Sequence, residues 1–373
     1  MDYEVVIIGA GYAGIAGGIG VDNWTDKYLI LEQRDYIGQL RTTGGIAGFW
    51  KEKISNITQN KINIGSDDIA TTIKDIYIIN SDGTKYELHY DFDVGYVVYP
   101  DKLEISMAKL IKDHIQLNTK VLKIRWDGSY YTVYTNQGTY RTKYIINASG
   151  LFGINVLPIS KEDIIIGYEK TIKMNKSNND NELKIFFDKF FAPNGYIWDF
   201  SGGNNIHRVG LGFPMNFHLN PKVLLEMFMK NYDYDGELIH TLSHPIPVAY
   251  PLKSVVDKNM AFVGDAGRFV FSSTGGGIHG AILSGFIAGE SLKFGNFKKF
   301  EKWYNNFRPY LIRHYKIKKL LYSFSDYEFS KIFKLIQNYQ PKTLNPIFEL
   351  SRLVRYIALK DPTLLAKIIK NYL

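Results

Sequence analysis

The sequence predicts an α/β protein, α+β overall, with a parallel-stranded domain, an inserted antiparallel-sheet domain and a helical carboxyl-terminal region. Three features predict it. An apolar run, Val5 to Ile8, enters a glycine-rich turn. Strand-like segments divided by turn chemistry fill residues 183–214, and from Lys298 the pattern is helical and basic. The 373 residues are 45% hydrophobic and 22% charged, which suits a globular chain of two or three structural units. An aromatic fraction of 15% points to apolar pockets or an aromatic core. There is no cysteine, which excludes disulfides, thiolate nucleophiles and thiolate metal sites. No metal site is expected.

The first element is the run Val5-Val-Ile-Ile8, suited to a strand buried on both faces. Gly9, Gly11 and Gly14 follow in G-x-G-x-x-G spacing. The first glycine makes the tight turn, the second admits a pyrophosphate to the backbone, and the third lets helix and strand pack closely. The phosphates then meet a helix N-terminus, whose free N–H groups favour negative charge. A second apolar run, Tyr28 to Leu31, ends in Glu32, about twenty residues beyond the glycines, where a carboxylate binds ribose hydroxyls. Together these predict a Rossmann-like dinucleotide-binding domain. NAD and FAD share the pattern, so the rest of the chain has to decide between them.

The deciding stretch is residues 259–290. Met260 to Val263 reads as a strand running into Gly264-Asp265-Ala266, and Gly275-Gly276-Gly277-Ile278 opens a helix rich in small residues. "VGDAG" followed by "TGGGIHGAILSG" resembles the second FAD motif of the para-hydroxybenzoate-hydroxylase-like flavoproteins, and most of all that of the geranylgeranyl reductase family. The resemblance implies FAD as cofactor. Asp265 beside Gly264 would accept hydrogen bonds from ribityl or ribose hydroxyls. The N–H groups of Gly276, Gly277 and Ile278 would face the N1/O2 edge of a reduced flavin. By the same resemblance Ala13 and Gln33 join the nucleotide contacts, Val121 gives backbone contacts to adenine, and the loop "YIGQLRTTGG" passes over the isoalloxazine with Thr43 and Gly44 as neighbours. Many relatives carry a cysteine where this chain has Thr43, so a thiol mechanism is ruled out here. Lys102 is a candidate substitute for an arginine often found before the central helix.

The inserted sheet is read from "LKIFFDKFF", the turn Pro193-Asn194-Gly195, "YIWDFS", the turn Gly202 to Asn205, and "HRVGLGFP". As a strand, residues 196–201 put Tyr196, Trp198 and Phe200 on one face. Spacing alone leaves two readings open, a two-layer core and a ligand wall. "YIWDFS" resembles the Y-x-W-x-F-P motif of geranylgeranyl reductases, which borders their lipid cavity, with Ser201 in place of proline. That resemblance implies a prenyl pocket walled by the three aromatics.

In the carboxyl-terminal third Ser325-x-x-Glu328 is a capping box and Asp361-Pro362 an N-cap and N1 pair. Leu364, Leu365, Ile368, Ile369, Tyr372 and Leu373 form one apolar stripe of the last helix. The expected division is an FAD-binding domain of residues 1–50, 95–150 and 245–292, a substrate domain of 51–94 and 151–244, and a helical region of 293–373. The function so implied is FAD-dependent saturation of C=C bonds in isoprenoid chains of membrane-lipid precursors. A polyprenylquinone is an equally physical substrate, and a flavin monooxygenase and a non-catalytic flavin or isoprenoid carrier are the rival classes. The net charge of +8 suits a phosphorylated head group or an anionic membrane surface, and no motif supports nucleic acid. No apolar run is long enough to span a bilayer and the chain enters a strand at once, so a cytoplasmic location is expected, with peripheral membrane contact on that side. An external electron donor such as a ferredoxin is the expected source of reducing equivalents.

Overall fold

The computed structural model describes residues 2–175, 180–339 and, of the remainder, 352–372 apart from 354 and 358. Its first sheet is built around β1 (Tyr3–Ile8), where Val5 to Ile8 are all buried. That strand pairs in parallel with β2 (Tyr28–Leu31) on one side and β3 (Thr139–Asn147) on the other. Parallel strands Ile115–Gln116 and Met260–Phe262 extend the sheet at either side, and a hairpin of Val121–Trp126 and Tyr131–Thr135 grows from β3. Cover on both faces explains the unbroken apolar runs. Helix α1 (Tyr12–Asp22) leaves β1 through the glycine turn, and α2 (Gly48–Ile57) and α3 (Pro100–Ala108) follow. Strands Gly45–Ala47, Ile69–Ile73 and Gly95–Val98 form a small antiparallel sheet beside the loop of residues 36–45.

The second sheet has seven strands. Its centre is β4 (Ile164–Met174), β5 (Tyr196–Ser201), β6 (Ile206–Pro214) and β7 (Gly236–Pro247), in the order β7–β4–β6–β5 and antiparallel throughout. It continues through Glu182–Phe187 to Asp75–Asn80 and Lys85–His89. The expectation of a purely antiparallel sheet needs one correction: Glu182–Phe187 runs parallel to Asp75–Asn80. That strand also ends at Phe187, before the end of "LKIFFDKFF". Asp188 starts a turn there, its carboxylate accepting from Phe190 N–H at 2.9 Å and its carbonyl from Ala192 N–H at 2.9 Å. The strand alternation is plain in β5. Ile197 packs into a core with Phe228 of α4 (Pro221–Asn231), while the even-numbered aromatics face the other way.

Helix α5 (Ile278–Ser291) lies directly on α1. A Cβ at Gly285 would stand 2.0 Å from Ala13 O, and one at Gly289 2.3 Å from Gly17 O, so small residues let the two backbones touch. After α6 (Lys298–Ser323), the capping box of Ser325 and Glu328 starts α7 (Asp326–Ile336). Asp361 caps α8 (Pro362–Tyr372), accepting from Thr363 N–H at 2.9 Å and Leu364 N–H at 3.1 Å. The apolar stripe of α8 is narrower than its sequence suggests. Leu364 and Ile368 are buried against Phe333 and Tyr86, whereas Ile369 is 49% exposed. The side chain of Tyr372 and residue Leu373 lie outside the described residues. Among the described residues no helix is long and apolar enough to cross a membrane, and no group of three or more His, Asp or Glu side chains converges as a metal site.

Candidate active site

The turn after β1 leaves no room for side chains. Cβ atoms at Gly9 and Gly14 would stand 2.6 Å from Ala148 O and 1.8 Å from Gly9 O. Gly11 is the N-cap of α1 and offers no side-chain acceptor to the helix's first N–H groups. The Arg41 guanidinium covers that end, 3.2 Å from where a Gly11 Cβ would be. An uncapped helix start beneath a guanidinium is a cradle for a diphosphate, and the residues present fit that part of FAD. Glu32 sits alongside, buried, its Oε2 accepting from Ala10 N–H at 2.6 Å and its Oε1 from Arg34 Nε at 2.8 Å. Burial alone would push the Glu32 carboxyl up, but the bonds from Arg34 and Ala10 outweigh it and hold it below its usual range. Gln33 is exposed at the rim. Thr119 N–H donates to Glu32 O at 2.7 Å, which brings the strand of Val121 next to this carboxylate.

The second motif closes on the first. Gly264 has a positive φ of 57°, and a Cβ there would stand 2.8 Å from that of Ala13. The Asp265 Oδ1 is 3.8 Å from the position of a Gly277 Cβ, and His244 Nε2 of β7 lies 3.9 Å from Asp265 Oδ2. Gly277 is the N-cap of α5 and, like Gly11, gives the first N–H groups no side-chain acceptor. Two uncapped helix starts therefore belong to one region, with Gly264 and Asp265 between them. Beside Gly276, His279 is stacked on Trp50 at 4.5 Å, and His314 on Phe271 at 3.9 Å. Desolvation pulls these imidazoles down to about 3 and about 4, so both are neutral near pH 7.

The loop of residues 36–45 is tied to the second sheet. Thr43 Oγ1 donates to Glu169 Oε2 of β4 at 2.6 Å, and Trp198 Nε1 of β5 donates to the same oxygen at 2.9 Å. Arg208 of β6 donates to the carbonyls of Thr43 and, at 2.8 Å, Val98. Gly44 sits at φ 90°, where its Cβ would stand 2.6 Å from Val98 O. The indole of Trp198 lies flat on the sheet because the strands beneath it carry glycine. A Cβ at Gly210 would come within 2.4 Å of the ring, and those at Gly212 and Gly167 within 3.5 and 3.8 Å. Phe200 shares this face, yet its ring abuts Gly45 under the loop, 2.6 Å from where a Cβ would be.

Tyr196 and Trp198 border a pocket of about 660 Å³, measured out to its open mouth. Its floor is Ile165, Gly212 and Ile246 of the sheet, with Val248 just past the end of β7. Ser272, Ser273 and Gly275 come from the loop before α5, and Lys318, Leu321, Tyr322 and Phe329 from α6 and α7. Lys318 is buried and held by Asp163 and by Val248 O at 2.9 Å. Lys189 stands at the same pocket, 3.4 Å from Tyr322 O, and burial pulls its ammonium below the usual lysine range.

The structure thus brings Gly9, Gly11, Ala13, Gly14 and Glu32 to one end of the site, with Gly264, Asp265 and Gly276 to Ile278 alongside. Thr43, Gly44 and Trp198 meet through Glu169. Sequence reasoning missed Arg34, Arg41, Glu104, Glu169 and Arg208. Buried Glu104 of α3 accepts from Arg41 at 2.7 Å and lies 3.5 Å from Arg34, whereas Lys102 covers the Tyr99 ring instead. Arg41 carried a signal, being a cation inside the loop already assigned to the cofactor. Glu169 and Arg208 are charges buried within their strands, which no local pattern separates from the neighbouring Lys170 and His207.

This fold and site define an FAD-dependent oxidoreductase. Residues 6–183 match the family model for pyridine nucleotide-disulphide oxidoreductase, and residues 163–244 that for the geranylgeranyl reductase catalytic domain. Within the class the chain is similar to the geranylgeranyl reductases. It is 28% identical to the digeranylgeranylglycerophospholipid reductase of Methanococcus vannielii, over 97% of this chain and 96% of the relative. The enzyme of the same name from Methanocaldococcus jannaschii is 26% identical over 97% and 96%. A geranylgeranyl bacteriochlorophyll reductase-like structure from Thermoplasma acidophilum superposes with a TM-score of 0.85 at 22% identity, covering 99% of this chain and 98% of the other. Klebsiella pneumoniae HpxO, solved with FAD and uric acid, shares the fold at TM-score 0.68 and 12% identity, over 91% and 93%.

Proposed function

We propose that the protein saturates C=C bonds of geranylgeranyl chains in membrane-lipid precursors, using bound FAD. The carrying observation is the aromatic-walled pocket that reaches Gly275, next to the second FAD motif. Its walls are mainly hydrocarbon and aromatic rings, as a prenyl chain requires. Burying apolar surface stabilises by about 25 cal/mol per Å², so a prenyl chain needs few polar contacts here. When bound, reduced FAD supplies a hydride. The chain's own residues do the rest. Trp198 presents a flat face held by Glu169 and the glycines below it, Tyr196 fixes its hydroxyl on Thr274 O, and Leu321, Tyr322 and Phe329 of the C-terminal helices wall the other side. An isolated alkene has no carbonyl to polarise, so positioning and a water-poor site carry the catalysis. Lys189 at the pocket suits an anionic head group. An external donor such as a ferredoxin would reduce the flavin, and the basic surface would meet the anionic membrane that holds the lipid.

The test is to incubate the dithionite-reduced, FAD-loaded protein with geranylgeranyl lipids and prenylquinones and to weigh the products. The expected result is a geranylgeranyl lipid heavier by two hydrogens for each bond reduced. Oxygen uptake with a hydroxylated product would overturn the reading, as would reversible flavin reduction with no prenyl product. Liposome flotation tests the membrane contact, which requires binding that rises with anionic lipid and falls with salt.

A further inference from the structure

We propose that the Glu169 carboxylate acts as a fixed negative charge on the flavin, lowering its reduction potential and so making it a stronger hydride donor. The purpose of that charge rests on the prenyl reductase reading. Its geometry rests on FAD lying between Thr43–Gly44 and Gly276–Ile278.

Glu169 is 2% exposed, and one of its oxygens touches both the loop of Thr43 and the pocket wall of Trp198. The next residue on its side of β4 is Gly167, which is paired with His244 of β7. His244 in turn approaches Asp265. The floor between Thr43 and Asp265 therefore runs over Glu169, Gly167 and His244, and Glu169 is its acidic member. Arg208, 7% exposed on the same face, gives its hydrogen bonds to the carbonyls of Thr43 and Val98, so its charge offsets part of that of Glu169 through space without a hydrogen bond to it.

Holding the loop does not require a charge. An asparagine or glutamine oxygen accepts from a threonine hydroxyl and an indole N–H without the desolvation a buried carboxylate suffers. What a neutral acceptor cannot do is oppose electrons arriving on a ring nearby, where low dielectric makes the repulsion strong. The chemistry gives a reason for that opposition. The alkene π bond is replaced by two C–H bonds. One comes from a hydride that removes two electrons and a proton from the reduced flavin, the other from a solvent proton. With no electron-withdrawing group on the alkene, hydride addition meets a high barrier, and a more strongly reducing donor lowers it.

The test is an anaerobic redox titration of the FAD-loaded chain without substrate. Glu169→Gln keeps a hydrogen-bond acceptor and removes the charge. Its midpoint is expected to rise by at least a tenfold change in the equilibrium, about 30 mV for a two-electron couple. Glu169→Asp keeps the charge and is expected to stay closer to wild type. If the glutamine variant loses FAD, Glu169→Met removes the charge without burying an amide and replaces it. A neutral variant with an unchanged or lowered midpoint overturns the proposal and leaves Glu169 as a clip for the loop. Product analysis of the wild type is a separate arm. If it saturates no prenyl lipid, the reductase reading fails while the measured potentials still decide the role of Glu169.

Discussion

At the scale of single residues, the site depends on what is absent as much as on what is present. Gly210 lets the Trp198 indole lie on the sheet, since a Cβ there would reach within 2.4 Å of the ring. Gly210→Ala has to tilt a large, nearly buried side chain that is also bonded to Glu169. Overpacking of that kind costs about 1–3 kcal/mol. We expect the variant's urea midpoint to fall accordingly and its prenyl-lipid affinity to drop, with FAD content near wild type. A variant as stable as the parent would show that the indole does not need this floor. Arg41 makes a complementary case. Its guanidinium covers the open start of α1 and is bonded to buried Glu104. Charge-assisted hydrogen bonds contribute roughly 1.5–3 kcal/mol, so Arg41→Gln is expected to weaken FAD binding about tenfold to a hundredfold by fluorescence titration. Unchanged affinity would assign the diphosphate contact to the helix N–H groups alone.

At the scale of elements, the start of α5 carries a titration that the rest of the fold has to bear. His279, in its first turn, is stacked on Trp50, and its Nε2 is buried without a partner. Its folded pKa lies at about 3, against about 6.5 for an unfolded histidine. Above pH 6.5 both states are neutral there and stability does not depend on it. As the pH falls from about 6.5 towards 4 the unfolded chain takes up a proton that the folded chain refuses, so stability falls with acidification. The slope approaches roughly 1.4 kcal/mol per pH unit for one such group. His314, packed on Phe271 with a folded pKa of about 4, adds to it over a slightly narrower window. Replacing His279 by leucine leaves no hydrogen bond broken and removes its share. The stability of His279→Leu, followed by urea unfolding between pH 7 and 5, should therefore fall less steeply than that of wild type. Equal slopes would mean that the imidazole reaches solvent and titrates normally.

At the scale of the whole molecule, the parts that were legible in the sequence are those written locally. Both glycine turns, the alternation of Tyr196, Trp198 and Phe200, and the caps at Ser325 and Asp361 each lie within a few neighbouring residues, where backbone sterics and strand period act. The parallel pairing of Glu182–Phe187 with Asp75–Asn80, and the meeting of Thr43 with Glu169 across 126 positions, are set by the packing of distant segments, which no local pattern encodes. The pocket is likewise composite. The sheet supplies Ile165 and Trp198, the loop before α5 supplies Gly275, and α6 and α7 supply Leu321, Tyr322 and Phe329. A ligand in it should therefore hold the C-terminal helices on the body, and a ligand at the glycine turns should not. Binding to the closed form stabilises by about 2.7 kcal/mol when the ligand is present at a hundredfold its Kd, roughly a hundredfold in the opening equilibrium. Amide exchange in residues 318–333 is thus expected to slow by up to about that factor on adding a geranylgeranyl lipid to the FAD-loaded protein. FAD added to apoprotein should instead protect residues 9–18 and 276–285, on α1 and α5. If the lipid protects only the glycine turns, or slows exchange nowhere in α6 and α7, then those helices do not close the substrate site and the pocket between them and Trp198 serves some other ligand.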